Sequence, residues 1–519
     1  MFDVVIRGGR VLNGAGSEPR RADVGVRRDL IEALGSLTDV PGRLTIDAGG
    51  KIVCPGFIDV HSHSDTYLLI EPGADSKMLQ GVTTEVVGNC GASAAPLAGE
   101  YRLPSDWRDK PYPAGWSSVA EYRALLEQAR PAPNVVLLVG HNTLRAGVVG
   151  YEDRAPTPKE MKAMIARLEQ ALGEGARGFS TGLIYAPGMF AGYDEIVRLA
   201  AVVAACNGVY ASHMRSESNH LLEAVAETLE VGRKSGVRVQ ISHLKAAGPA
   251  NWGLMDRALE AVRAARAGSV DVAADRYPYT SSCTDLDIVF PAWAQEGGRD
   301  AVLARLADAG SRRRLRDDLC RSRPEAYWQS VTIGATYHPD NSALRGLPLP
   351  EAARRLGMEP VDAVLHLAET DGLRTGAFFA GMSEDNMLKV LAEPYVMIGS
   401  DASLRRPSGP LARDYPHPRA YGAFPRFLRM SLDGRTVTLA EAVRKMTSLP
   451  ASRFDLADRG SLRTGMKADI LVFDPATVRD KATYANPHCF AEGIAHVLVN
   501  GVPTVRNGRI TGRRAGRFL

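Results

Sequence analysis

The sequence predicts an α/β protein, a TIM-type (β/α)8 barrel with a small β-sandwich domain formed from both termini and an inserted subdomain. Strand ends recur at residues 180, 213, 243 and 275, a spacing of 30 to 33 residues that suits repeated βα units. Eight short apolar runs can be counted along that part of the chain, and eight is the strand number of this barrel. Towards either terminus the texture changes to short alternating strands separated by turns, the pattern of an all-β body.

The amino-terminal strands are carried by Val4-Val5-Ile6, Arg10-Val11-Leu12 and Ala22-Asp23-Val24-Gly25-Val26. Their carboxyl-terminal counterparts are Ala468-Asp469-Ile470-Leu471-Val472-Phe473 and His496-Val497-Leu498-Val499, followed by an Asn500-Gly501 hairpin turn and Pro503-Thr504-Val505. Residues 1–55 and 450–519 are therefore expected to form one small sandwich, and 56–449 the barrel. The barrel opens with strands over 57–60, 83–87 and 135–139. Thr157-Pro158-Lys159-Glu160 is a capping box with Pro in the first helical turn, Met161, Ile165, Leu168 and Leu172 give that helix its period, and Gly173 and Gly175 stop it. Strand 176–180 follows, then a helix from Asp194 to about Asn207-Gly208 and strand 209–213. A helix from about His220 to Lys234, strand 237–242, a helix near 254–266 and strand 270–275 continue the alternation. The eighth strand, 395–398, comes more than a hundred residues later, so roughly 284–350 is expected to be an inserted subdomain over the barrel mouth.

Composition narrows the class. A chain of 519 residues that is 45% hydrophobic and 24% charged is ordinary for a globular enzyme, and a formal net charge of +4 is small for its length. The short basic runs at 312–316 and 513–517 read as solvated faces, so no nucleic-acid partner is expected. No stretch approaches the roughly 20 apolar residues of a membrane helix, and the start of the sequence lacks the pattern of a signal peptide. The expected address is the cytoplasm, with no membrane partner. Six cysteines lie scattered without paired spacing, which argues for thiols over a disulfide framework.

The chemistry is announced by His61-Ser62-His63-Ser64-Asp65, directly after the apolar run Phe57-Ile58-Asp59-Val60. Alternate residues on a strand point the same way, so both imidazoles leave one strand end together and can grip one cation. Placed on the expected barrel, Cys90 follows strand two, His213 strand five, His243 strand six and Asp401 strand eight. All six would occupy the face on which barrels of this type do their chemistry. His141 and Arg145 follow strand three towards the same rim.

With these residues in place, the sequence resembles the amidohydrolase superfamily over almost its whole length. The likeness runs from Cys54-Pro55-Gly56-Phe57-Ile58-Asp59-Val60-His61-Ser62-His63 through Gly399-Ser400-Asp401 to Gly465-Met466-Lys467-Ala468-Asp469-Ile470-Leu471-Val472. Many dinuclear members, such as dihydroorotases and hydantoinases, carry a carboxylated lysine on strand four. This chain reads Gly178-Phe179-Ser180-Thr181-Gly182 there. The branch that lacks that lysine and supplies a cysteine after strand two is the D-aminoacylase, or N-acyl-D-amino-acid deacylase, family. The sequence resembles it at Gly81-Val82-Thr83-Thr84-Glu85-Val86-Val87-Gly88-Asn89-Cys90-Gly91, Ser212-His213-Met214-Arg215-Ser216-Glu217, Ile241-Ser242-His243-Leu244-Lys245, Asp275-Arg276-Tyr277-Pro278-Tyr279-Thr280 and His417-Pro418-Arg419.

The resemblance implies zinc-dependent hydrolysis of N-acyl-D-amino acids to a carboxylate and a free D-amino acid. It implies one tightly held zinc on Cys90, His213 and His243, and a second, weaker position at His61 and His63. Asp401 is implied as a metal ligand and as the general base that takes the proton of the attacking water and passes it to the leaving amine. Tyr185, Lys245, Tyr279 and Arg419 are implied as substrate-binding residues, the cations serving the carboxylate of the amino acid. Arg215 and Glu217 are expected beside His213 as orienting groups, although a carboxylate at a helix start, as at Glu217 or Glu384-Asp385, also reads as a cap. A dipeptidase that releases a D-residue would use the same amide cleavage on a D-residue-containing dipeptide. A cyclic-amide hydrolase is disfavoured by Ser180, and a barrel that had lost catalysis by the six filled positions. Departures from the family occur at Ser281-Ser282-Cys283 and at the extra segment Leu404-Arg405-Arg406-Pro407-Ser408-Gly409.

Overall fold

The structure is a computed structural model that describes residues 1–98, 112 and 115–519. Eight parallel strands form one sheet: Phe57–Asp59, Val82–Val87, Asn134–Gly140, Gly178–Gly182, Val209–His213, Arg238–Ile241, Val272–Arg276 and Val396–Ile398, neighbours in that order. Alternation along each strand splits the core into two layers. Val135, Leu137, Val139, Phe179, Tyr210, Val239 and Val272 face outward and pack with Leu168, Leu199, Val203, Leu229 and Val262 of the surrounding helices. Val86, Val136, Leu138, Val209, Ala211, Ala273 and Met397 form a second cluster with Phe454 and Leu456. Each fully buried Val or Leu in these layers stabilises the fold by about 1.5–3 kcal/mol.

The helices obey the local signals. Pro158–Gly173 begins with both halves of the Thr157/Glu160 capping box and with Pro in its first turn. Its buried stripe is Met161, Met164, Leu168 and Ala171. Ile165 and Leu172, expected on that stripe, sit at its half-buried edge. Tyr193–Ala205, Leu221–Ser235 and Met255–Ala267 then alternate with strands as the spacing requires.

Strand eight and strand one share no ladder, and the ring is closed there by other means. The Asp401 N–H donates to His61 O at 2.8 Å, and Ser62 bridges Ala402 in parallel register. Beneath them the Lys77 ammonium, with no solvent exposure, donates to Asp59 Oδ2 (2.7 Å), Ser400 Oγ (2.8 Å) and Ala402 O (2.8 Å), with Glu85 Oε2 at 3.3 Å. A buried ammonium is tolerated only when paired and hydrogen-bonded. This one ties strand one, strand two and the strand-eight loop together.

The two chain ends meet in a nine-stranded sheet, where Ile52–Pro55 pairs antiparallel with Ile470–Phe473. Its Asn500-Gly501 turn has both residues at positive φ (47° and 78°), the geometry that the Asn-Gly pair favours in a two-residue hairpin. Between strands seven and eight a three-stranded sheet, ordered Ser281–Asp285, Gly376–Ala380, Val331–Ile333, caps a separate cluster that includes Leu286, Leu315, Trp328, Leu349, Val364 and Ala377. The elements of this inserted body continue past residue 350, through the helix Pro360–Thr370 to the strand Gly376–Ala380.

Candidate metal centre

Strand ends deliver the polar side chains to one place. Donor atoms of His61, Cys90, His243 and Asp401 all lie within 4.8 Å of one another, and those of His213, Glu217 and His243 form an adjoining group. His61 Nε2 is 3.2 Å from Cys90 Sγ and 3.3 Å from Asp401 Oδ1, and Cys90 Sγ is 3.4 Å from His243 Nε2. His63 Nε2 stands 3.1 Å from Asp401 Oδ1. The His213 and His243 rings meet edge to face with centroids 4.4 Å apart. All six residues expected from the sequence thus converge.

Three of them occupy the left-handed region of backbone space: Cys90 (φ 52°), His243 (φ 35°) and Asp401 (φ 51°). Such a conformation costs a side-chain-bearing residue about 1–3 kcal/mol and persists only where the surroundings impose it. Here each is imposed by a buried hydrogen bond. Asp401 N donates to His61 O, His243 N donates to Asp275 Oδ1 at 2.8 Å, and the Gly91 N–H beside Cys90 donates to Ser180 Oγ at 3.0 Å.

Charge is balanced locally. Burial opposes ionisation of the Cys90 thiol, but the His61 and His243 imidazoles overcome it and hold the thiol well below its usual range. Burial likewise opposes the Asp401 carboxylate, and Arg419, with Nη1 2.7 Å from Asp401 Oδ2, together with His61 and His243 holds it well below the usual carboxylate range. Burial keeps His213 neutral, the state in which an imidazole ligates. Glu217 accepts from His243 Nδ1 at 2.8 Å and pairs with Lys245. Asp275 accepts from His61 Nδ1 at 3.1 Å. Carboxylates behind ligating histidines fix ring orientation and tautomer, and these two are placed for that task.

The substrate-side residues separate. Arg419 lies against Asp401 with its guanidinium 4.5 Å from the Tyr277 ring centroid, and Lys245 approaches the same ring at 5.9 Å. Tyr185 stands edge-on to His213 at 5.1 Å and shares a hydrogen bond of 3.3 Å with Thr284 of the inserted sheet. Tyr279, by contrast, donates its hydroxyl to Asp480 at 3.3 Å, under the guanidinium of Arg426. The tyrosine next to both cations is Tyr277. Between the two tyrosines the chain makes a tight turn about Pro278, with Tyr279 N bonded to Tyr277 O at 3.0 Å. Arg215 also departs from expectation, since it pairs with Glu227 and the carbonyls of Met189 and Ala191. Glu217 precedes the helix Leu221–Ser235 without capping it and turns into the site. Sequence reasoning gave Asp275 no role, although a carboxylate at a strand end beside two expected ligand strands was a usable signal. His141 and Arg145 share Glu195 in a buried cluster behind strand three.

The sequence profile of the Amidohydrolase family matches residues 44–505. The chain belongs to the amidohydrolase family. It is 39% identical over 520 residues to a D-aminoacylase of Alcaligenes xylosoxydans xylosoxydans, covering 100% of this chain and 97% of that protein. It is equally, 39%, identical over 530 residues to an N-acyl-D-glutamate deacylase of the same organism, covering 99% and 97%. A crystal structure of N-acyl-D-glutamate deacylase from Bordetella bronchiseptica, complexed with zinc and a phosphonate that mimics the tetrahedral intermediate, superposes with a TM-score of 0.85 at 36% identity, covering 100% of this chain and 99% of that one. Within the family, then, the chain stands among the D-aminoacylases, and Ser180 occupies its fourth strand.

The donor set of this amidohydrolase fits a metal ion. Neither ring nitrogen of buried His213 finds a hydrogen-bond partner among the described residues. An unsatisfied buried polar group costs about 1–3 kcal/mol, and a cation between Cys90, His213 and His243 would satisfy it. A thiolate with imidazoles suits zinc over harder ions. Among the described residues no helix is long and apolar enough to cross a membrane.

Proposed function

We propose that this protein is a zinc-dependent N-acyl-D-amino-acid deacylase, which cleaves the amide to a carboxylate and a free D-amino acid. The observation that supports this most is the cradle of Cys90, His213, His243, His61, His63 and Asp401 on a chain alike over its full length to D-aminoacylase and N-acyl-D-glutamate deacylase. Cys90, His213 and His243 would hold the tighter ion, and His61 and His63 with Asp401 the weaker one. The chemistry zinc supplies when bound is polarisation of the amide carbonyl and a lowering of the pKa of water from about 15.7 towards about 7.

The protein's own groups do the rest. Asp401 takes the proton of the attacking water at its carboxylate and returns it to the leaving nitrogen. Arg419 keeps that carboxylate ionised and, with Lys245, meets the carboxylate of the amino acid, Arg by a bidentate fork and Lys as a point charge. Tyr185, beside His213, closes the opposite wall together with Thr284.

The test is a panel of N-acyl-D- and N-acyl-L-amino acids, with D-residue-containing dipeptides as a further arm, assayed on protein of measured zinc content. Turnover confined to the D-series supports the proposal. Turnover of the L-series alone, or none after zinc loading, rejects it.

A further inference from the structure

In place of the strand-four lysine stands a residue with two specific partners. Ser180 has no solvent exposure and lies on the face of its strand opposite Phe179, which packs into the outer core. Its hydroxyl donates to Gly88 O at 2.5 Å and accepts from Gly91 N at 3.0 Å. Those atoms belong to the two ends of the turn Gly88-Asn89-Cys90-Gly91 that presents the thiol.

The turn needs holding. Gly88, Cys90 and Gly91 all have positive φ, at 78°, 52° and 78°. Glycine takes that conformation freely, and no other residue fits at either end: a Cβ on Gly88 would lie 2.0 Å from Leu138 O, and one on Gly91 2.1 Å from Asn142 Oδ1. Cys90 has no such freedom. Strand four also receives the turn closely, since a Cβ on Gly182 would lie 2.2 Å from Cys90 O. A side chain longer than serine at 180 would run into the peptide groups that its hydroxyl now joins.

We propose that Ser180 is the positioning residue of the Cys90 thiolate: by joining Gly88 O to Gly91 N it fixes the 88–89 and 90–91 peptide groups at the two ends of the Asn89-Cys90 segment and aims the sulfur at His213 and His243 before a metal arrives. The strand-four position thus still serves the metal, through the backbone of a ligand in place of a ligand of its own. This inference rests on the metal reading given above.

Cadmium titration of the metal-free, full-length protein tests it, because cadmium on a thiolate produces a sulfur-to-metal charge-transfer band that Cys90→Ala abolishes. Ser180→Ala is expected to weaken cadmium binding by about 10–100-fold, the usual effect of losing an orienting partner behind a ligand, while the metal-free form still folds and loses only a few degrees in thermal midpoint for the two backbone groups left unpaired. Ser180→Thr, which keeps the hydroxyl, is expected to stay close to wild-type affinity. Equal cadmium affinity in wild type and Ser180→Ala overturns the role of Ser180. If the alanine variant is too unstable to titrate, the titration is run with sucrose as a stabilising osmolyte, where a loss of about tenfold in cadmium affinity supports the inference and wild-type affinity overturns it. A wild-type protein without the thiolate band overturns the metal reading itself.

Discussion

The two corners of the cradle are made of different chemistry. At one, Cys90, His213 and His243 present a thiol and imidazoles, and His213 lacks hydrogen-bond partners among the described residues. At the other, Asp401 is already shared by His61, His63 and Arg419, and His61 is already paired with Asp275. In the first corner His213 is left without a hydrogen bond among the described residues, so a cation entering there relieves a cost. The second is satisfied by internal ion pairs, so a cation there must compete with the Arg419 guanidinium. On the proposed assignment, this difference would make the Cys90 corner the tighter of two metal positions.

Asp401→Asn separates the corners most sharply. The amide keeps the size of the side chain but cannot accept the water proton, so kcat is expected to fall by about 10²–10⁴-fold, the usual contribution of a positioned acid-base group. Zinc measured by metal analysis is expected to remain at one equivalent, because the Cys90 corner is untouched. Full activity would remove Asp401 from the mechanism, and loss of all zinc would mean that the corners are one site.

Glu217→Gln probes the other corner with a smaller effect. Glu217 accepts from His243 Nδ1 and balances Lys245; burial opposes its charge, but Lys245, His243 and His213 overcome it and hold the carboxyl well below the usual range. The amide keeps a hydrogen bond to His243 but loses the charge. Zinc affinity is expected to fall by about 10–100-fold, read by competition with a chelator, with kcat largely restored at saturating zinc. A wild-type affinity would make Glu217 a partner of Lys245 alone.

The sequence made the strand ends legible because a barrel repeats: once 180, 213, 243 and 275 are aligned, the polar residue after each strand must reach the same face. His61, Cys90, His243 and Asp401 converge for that reason. What the repeat does not encode is irregular backbone. The left-handed φ of Cys90, His243 and Asp401 is imposed by hydrogen bonds from distant segments, and no local pattern signals it. Lys77 sits in Asp75-Ser76-Lys77-Met78, a stretch that reads as surface, and its burial becomes visible only when Asp59, Glu85 and Ser400 are brought around it. The extent of the insertion was blurred because its helices have the amphipathic period of barrel helices while packing into their own core.

Tyr279 supplies the smallest expected effect, and it tests which tyrosine of the turn after strand seven faces the substrate. Its resemblance-based role is recognition of the carboxylate of the amino acid, which requires a hydroxyl free to meet the substrate. The structure engages that hydroxyl with Asp480, in a charged group completed by Arg426. Burial, with Asp480 beside it, pushes the phenol well above its ordinary range, so it stays protonated and donates. Tyr279→Phe therefore removes one hydrogen bond to a carboxylate, at a cost of about 1.5–3 kcal/mol in unfolding free energy. Because the ring and its edge-to-face contact with His417 are retained, kcat and KM are expected to stay within about twofold of wild type, the scatter of substitutions that leave a site untouched. A drop of about a hundredfold in kcat/KM, equal to about 2.7 kcal/mol of lost transition-state stabilisation, would instead mean that the Pro278 turn opens when substrate binds and that Tyr279, not Tyr277, meets it.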